Sequence, residues 1–555
     1  VELGACGLPG SITSFFSPEV TEIIETGREI LAAPIGLIVQ VDGAQTDWRE
    51  TARTPVGSGR SWATWKTTAE TSGLSMTCEG RMELDGMVDY AITVRAEEAI
   101  DLDDIRLEVP LPEDVARLMT GLGRKGGACP DRFEWAWDVE KNHDSIWIGD
   151  VNAGIQIALR DEHYSRPLNT NFYHLKPLVM PTSWSNEGKG GIRFEREGGA
   201  CMVTCHSGAR RMETGEELRF DFRLLLTPFK PIDTTTHFNT RYYHSHAPMD
   251  EVAEAGANTI NVHHANEINP YINYPFLRPE GMKAYIDEAH ARDYFVKIYY
   301  TVRELTTRAP ELFALKSLGD EIIVNGPGGG HPWLREHLAT NYIAAWHAEP
   351  VEDTSVINGV LSRWHNFYVE GLDWLARNVG IDGLYLDDVG FGREVMQRAR
   401  RVLARRRERP ILDLHSANQY NERDGFASSA NLYLELFPYL DRLWFGEYFD
   451  YSEPPEYWLV EVAGIPFGLM SEMLEGGGNP WRGMVFGMTG RMPRVEVNRA
   501  LWRFWDEVGL PDARMIGWWS ENCPVQTGRD DVKATVYVGE ERTVIALASW
   551  AEGDV

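Results

Sequence analysis

The chain has 555 residues, 43% hydrophobic and 25% charged, ordinary proportions for a globular protein and too many residues for one core, so roughly two to four domains are expected. A formal net charge of −29, from 83 acidic against 54 basic residues, argues against nucleic acid and anionic membrane surfaces as partners. It fits simple solubility or an acidic cleft for a neutral or cationic substrate, and no window approaches the ~20 apolar residues of a membrane helix.

The start, Val1-Glu2-Leu3-Gly4, carries neither a basic n-region nor an apolar h-region, so no signal peptide is expected there. The missing initiator Met fits a processed chain, which keeps export open; the compartment is not fixed by the sequence, with a secreted or periplasmic location slightly favoured. Residues 1–230 read as short strands, among them Gly36–Val41, Ser61–Lys66, Val88–Val94, Ser145–Ile148 and Leu218–Leu224, several alternating polar and apolar. Many short strands and few helical windows predict an all-β sandwich, and the proline-flanked run Thr227–Ile232 predicts a linker.

From 233 to 510 the rhythm becomes strand, loop, helix. Strands are expected at 238–244, 258–264, 294–301, 381–387, 410–415, 442–447, 465–471 and 483–488, most of them near-continuous apolar runs of the kind buried parallel strands need. Helical stretches follow at Pro279–Ala291, Phe367–Val379 and Val395–Arg406. Eight such units in this length predict a (β/α)8 TIM barrel, an α/β fold, and no Gly-rich dinucleotide fingerprint follows the first strand. Residues 302–366 form a long insertion after the third strand and contain Gly326-Pro-Gly-Gly-Gly330 before His331 and Trp333. Long insertions are commonly functional, so this one is expected to fold over the strand ends with Trp333 or His331 touching substrate. A homo-oligomer contact is the competing use of that segment. Val497–Trp505 reads as a helix, and residues 511–555 as a C-terminal β element ending in a hairpin, 533–539 with 542–549.

Six cysteines are scattered without CxxC spacing, and Cys201 and Cys205 fall on one face of one strand. They read as thiols rather than a metal site or a disulfide framework.

In such a barrel the catalytic groups come from the C-terminal ends of the strands. The fourth strand ends in Asp387-Asp388, the fifth in His415-Ser416, the sixth in Trp444-Phe-Gly-Glu447-Tyr448, and the seventh in Ser471-Glu472. Two carboxylates flanking a bond are what glycosidic cleavage needs, and a third nearby helps to push their pKa values apart. Asp388 and Glu447 are the expected pair, with Asp387 and Glu472 as alternates. Aromatic rings stack on the C–H faces of sugars, and many of the 19 Trp and 21 Tyr fall at the expected rim, including Tyr271, Tyr274, Trp333, Trp364, Trp444, Tyr448, Trp481, Trp518 and Trp519. His244, His263, His264, His331 and His415 are expected to bind substrate hydroxyls. A rival reading takes His244-Ser-His246 at the end of the first strand as half of an amidohydrolase-type metal site. The other ligands such a site needs, a His after the sixth strand and an Asp after the eighth, are missing. No metal or cofactor is therefore expected, and the partner expected is a carbohydrate. A non-catalytic sugar-binding protein is a further alternative.

The stretch Gly380-Ile-Asp-Gly-Leu-Tyr-Leu-Asp387-Asp388, followed by Leu443-Trp-Phe-Gly-Glu447, resembles the glycoside hydrolases related to family 123, over about residues 1–500. That resemblance implies a β domain before a catalytic barrel. Family 123 uses an adjacent Asp-Glu pair for substrate-assisted cleavage of N-acetylgalactosaminides, and the pair here is Asp387-Asp388, a departure at its second member. The layout is also similar to the α-galactosidase clan, which implies a retaining reaction with Asp388 as nucleophile and Glu447 as acid/base.

Overall fold

The computed structural model describes residues 1–16, 27–141, 143–164, 178–359, 362–472, 478–493 and 496–551. Among these, the N-terminal region forms a ten-stranded and a six-stranded antiparallel sheet that share one core. The alternation seen in the sequence sets the faces. In Met87–Ala96, Val88, Tyr90, Ile92 and Val94 turn inward, and their neighbours Asp89, Ala91 and Thr93 are partly exposed. The expected strands are present, the last split into Glu217–Arg219 and Asp221–Thr227. All six cysteines are free thiols, with Cys201 and Cys205 buried on one strand.

The barrel is a parallel sheet of β1 (Tyr242–Tyr243), β2 (Thr259–Val262), β3 (Phe295–Tyr299), β4 (Gly383–Asp387), β5 (Ile411–Ser416), β6 (Arg442–Phe445) and β7 (Arg491–Met492). Helices α1 (Met249–Ala255), α2 (Pro279–His290), α3 (Trp364–Trp374) and α4 (Arg393–Arg406) connect successive strands. β7 pairs with β1, Tyr242 opposite Arg491, and stands at the opposite end of the sheet order from β6.

Two expected strands are not strands. Residues 465–471 contain a 3₁₀ turn, Ile465–Phe467, and residues 483–488 lie in the helix Pro480–Gly483 and the 3₁₀ turn Met484–Phe486. Their apolar content reflects burial, but Gly464, Gly468 and Gly487 take left-handed φ values of 76°, 77° and 65°, which end an extended run. Single parallel bridges, Leu443 to Ser471 and Glu472 to Thr489, carry the ring past this point. β1 is also shorter than expected, because Thr234–Asn239 is helical and the side chain of Asp233 caps it, accepting from Thr236 N at 2.8 Å.

The β domain sits against the loops that follow β5 and β6. Glu461 is buried there and accepts from Thr120 Oγ1 and Ser428 Oγ, each at 2.6 Å. Arg223 reaches Glu435 at 2.8 Å, and Trp147 meets Phe467 edge to face at 5.2 Å. Behind the barrel, the antiparallel strands Val532–Val538 and Thr543–Ser549 form the expected hairpin. Tyr537 and Thr535 donate to the carbonyls of Met484 and Val485, each at 2.6 Å. Among the described residues no helix is long and apolar enough to cross a membrane.

Candidate active site

Strand parity builds the barrel interior. On β4 and β5, Leu384, Leu386, Leu412 and Leu414 face the helices, so Tyr385, Asp387, Asp413 and His415 face the axis. The first interior level is ionic. Lys297 pairs with Asp413, and Arg442 lies 3.2 Å from Glu472. Above it lies an aromatic level of Tyr242, Tyr299, Tyr385 and Trp444. The uppermost level, at the strand ends, holds Asp387, His415 and Glu447.

His415 organises that level. Its Nδ1 donates to Asp387 Oδ1 at 2.8 Å, and its Nε2 lies 3.1 Å from Glu447 Oε2. Burial would lower the ring's pKa, but the bonds to the two carboxylates override this and lift it to about 9. The His415 partnership, opposed by partial burial, holds Glu447 below the usual carboxylate range. Glu447 stands between two left-handed residues, Gly446 (φ 139°) and Tyr448 (φ 62°), a bend that a Tyr adopts only under strong restraint.

Asp387 also accepts from Tyr299 Oη at 2.9 Å and lies 3.4 Å from Arg303 Nη1. Burial pushes its pKa up, but the Arg303 charge and the His415 bond prevail and hold it well below the usual range. Asp388 is different. Its φ of 50° turns the chain, so the two adjacent carboxyl groups, which would point apart in a continuing strand, both approach Arg303. Asp388 lies 3.9 Å from that guanidinium and accepts from Gln419 Nε2 at 3.3 Å. Burial raises its pKa, opposed by Arg303 and reinforced by Asp387. Glu304, 3.7 Å from Arg303, is a further buried carboxylate, pushed by burial to about 7. One cluster thus holds an ionised carboxylate beside a protonatable one.

The imidazolium of His415 gives the cluster a pH signature. A base whose folded pKa is raised contributes stability that is complete below its ordinary value of 6.5 and is lost as pH rises through about 9. Thermal melting of wild type and His415→Gln should therefore differ most below pH 6.5, with the gap narrowing toward pH 9. A gap constant across that window would mean that the ring is uncharged in the fold.

Other expected residues are placed differently. Glu472 is fully buried in the ionic level, pushed by burial to about 7, and does not reach the rim. Trp444 is likewise fully buried, with Lys297 3.9 Å from its ring centre, so it fills the barrel rather than offering a sugar platform. His244 is buried against Tyr385 and Trp444, with Asn261 Nδ2 2.6 Å from its Nδ1, whereas His246 packs on Tyr285. Among the described residues neither belongs to a group of three candidate metal ligands; the group that forms is Asp161, Glu162 and His163, in the β domain. His263 and His264 lie against Tyr299 beside the carboxylates, and burial lowers both, His263 to about 4. Tyr448 is 80% exposed at the rim.

The insertion is an ordered unit with a four-stranded sheet: Glu304–Thr306, Asp353–Ile357, Tyr342–Ala348 and Pro327–Gly328. Gly328, Gly329 and Gly330 all take positive φ, which accounts for the glycine run. His331 caps the helix Pro332–His337 and stacks on His347 at 4.1 Å; Trp333 stacks on His337 at 4.4 Å. Those ring contacts stay within the insertion. The base of the insertion instead supplies Arg303 and Glu304 to the carboxylates. Tyr299, Arg303, Glu304 and Gln419 were not among the sequence candidates. The alternation of Lys297 and Tyr299 with Val296 and Ile298 on β3 was the available signal for the first of them.

Comparison with known proteins gives this geometry its class. Residues 233–493 match the TIM-barrel domain of Glycoside hydrolase 123, residues 1–228 its third domain and residues 497–555 its C-terminal domain. No curated protein matches the chain. Among solved structures, the GH36 α-galactosidase AgaA of Geobacillus stearothermophilus in complex with raffinose shares 8% identity at a TM-score of 0.45, covering 94% of this chain and 82% of its own. The Thermus thermophilus α-galactosidase TtGalA in complex with p-nitrophenyl α-D-galactopyranoside shares 10% at 0.36, covering 92% and 98%. A maltogenic amylase from S. marinus shares 9% at 0.39, covering 92% and 96%. The chain is a glycoside hydrolase. Within that class it is related to family 123, three of whose domain models its sequence matches.

Proposed function

We propose that the chain hydrolyses a glycosidic bond of an oligo- or polysaccharide with the Asp387-Asp388 pair at the end of β4. Asp387, ionised, faces the anomeric carbon and stabilises its positive charge. Asp388, protonated, gives its proton to the departing oxygen as the C–O bond breaks and a carboxylate oxygen of Asp387 bonds to the carbon; it then takes a proton from the water that displaces Asp387. The observation that carries this assignment is the difference between two neighbouring groups on one guanidinium. Asp387 is held by Tyr299, His415 and Arg303 at 3.4 Å, whereas Asp388 lies farther from Arg303, at 3.9 Å, and accepts from the neutral amide of Gln419. Glu447, expected as the acid/base, becomes the second anchor of His415 and a rim carboxylate.

Retention of configuration is the expected outcome of this double displacement; the two carboxylates lie 3.4 and 3.9 Å from one Arg303 nitrogen, which places those oxygens no more than about 7 Å apart. The family resemblance adds a substrate-assisted route, in which a 2-acetamido group attacks and Asp387 orients it. A panel of nitrophenyl glycosides with and without that group, together with natural glycans, tests the assignment. Turnover is expected, with the first-formed anomer in the NMR spectrum matching the substrate's configuration. The inverted anomer would overturn retention. Absence of turnover on a broad panel would favour a sugar-binding protein. Loss of activity with chelator and its recovery with zinc would favour a metal hydrolase.

A further inference from the structure

The insertion carries an aromatic side chain placed by a local irregularity. Tyr342–Ala348 pairs with Asp353–Ile357, but the register slips: Ala344 opposes Val356 and His347 opposes Thr354. Ala345 and Trp346 therefore share one opposing position, that of Ser355. A bulge of this kind bends its strand and re-aims a side chain. Ser355 Oγ donates to the Trp346 carbonyl at 2.9 Å and secures it.

The re-aimed side chain meets the site. The Trp346 ring stands 4.4 Å from His264 at 82°, and His264 lies 4.7 Å from Tyr299, whose hydroxyl holds Asp387. His264 is 4% exposed, and neither of its ring nitrogens has a hydrogen-bond partner among the described residues. Trp346 itself is 45% exposed. The indole is thus fixed at one edge by a buried ring two contacts from the ionised carboxylate, with much of its surface open to solvent. An isolated exposed Trp needs no explanation, but one set by a bulge at the rim of a sugar-cleaving site does.

We infer that Trp346 is the stacking platform for the sugar ring bound on the β2–β3 side of the Asp387-Asp388 pair, and so sets which saccharides the site accepts. This rests on the hydrolase assignment above. An indole face against the C–H face of a pyranose strengthens binding in ground and transition states alike, so its removal acts mainly on KM.

The test uses the nitrophenyl glycoside that wild type cleaves best, with Trp346→Ala, Trp346→Phe and Trp346→Leu, assayed for kcat, KM and melting temperature. Trp346→Ala is expected to raise KM at least about fivefold, the scale of one aromatic contact, with a smaller change in kcat. Phe, which keeps a flat face, should recover most of the loss; Leu, which covers His264 without one, should not. Recovery by Leu, or a KM for Trp346→Ala indistinguishable from wild type, would overturn the platform and leave the hydrolase assignment standing. An inactive wild type would overturn both.

Discussion

Replacing Asp388 by Asn is expected to lower kcat/KM by about 10²–10⁴-fold on substrates with poor leaving groups, the usual scale of lost general-acid catalysis. The variant keeps the shape of the side chain and its Gln419 contact, so melting should change little. A substrate whose leaving group needs no proton, such as a dinitrophenyl glycoside, should recover most of the rate of its first step. Asp387→Asn should not be rescued in this way, because the charge it removes acts at the carbon and not at the departing oxygen. Its loss should be at least about 10²–10³-fold with every leaving group, the scale of removing a preorganised electrostatic contact. The same comparison with Glu447→Gln separates the two possible acids. If only Glu447→Gln is rescued by the activated leaving group, Glu447 is the acid and Asp388 has another role. The alkaline limb of kcat/KM adds a second reading. A raised Asp388 pKa keeps the acid protonated to higher pH than an ordinary carboxylate, so that limb should shift when Asp388 is changed.

The second large effect is on stability. Asp413→Ala should destabilise the fold by about 3–5 kcal/mol, the usual result of leaving one member of a buried ion pair alone. Lys297 and Asp413 are fully buried, and Lys297 has Tyr242 and Trp444 around its ammonium. Burial, partly offset by Asp413, lowers Lys297 to about 8, so the abandoned lysine can shed its proton and limit the damage. The double variant Lys297→Met with Asp413→Leu should regain much of the lost melting temperature, since well-packed apolar residues often replace a buried pair without loss. A single variant that melts like wild type would show that the pair contributes little. Activity in the double variant tests whether the ionic level merely fills the barrel or also sets the height of the aromatic level on which His415 rests.

Local chemistry determined a good deal of this protein. Alternation in Met87–Ala96 and its neighbours was enough to define the sandwich, because a strand's faces follow from its residues two apart. The apolar runs at β2 to β6 and the helical stretches between them were enough for a barrel. The rule that chemistry sits at strand ends brought Asp387, Asp388, Glu447 and His415 forward from a chain with 83 acidic residues. Apolar content alone misled at 465–471 and 483–488, since burial makes a turn as hydrophobic as a strand and left-handed glycines then decide between them.

Tertiary structure decided the rest, because it alone sets which groups share a space. The φ of 50° at Asp388 aims two adjacent carboxyl groups at one guanidinium, which period-two reasoning on a regular strand excludes. Arg303 lies 84 residues before Asp387, and only the parallel pairing of β3 with β4 makes them neighbours. Ring closure also buried Glu472 and Trp444, whose residue types had suggested the rim. A one-residue slip in a strand pair chose Trp346 over Trp333 as the insertion's contact with the site. Composition and spacing carry the preferences of each segment, but a carboxylate's charge state depends on its neighbours and its distance from water, and both are properties of the folded chain.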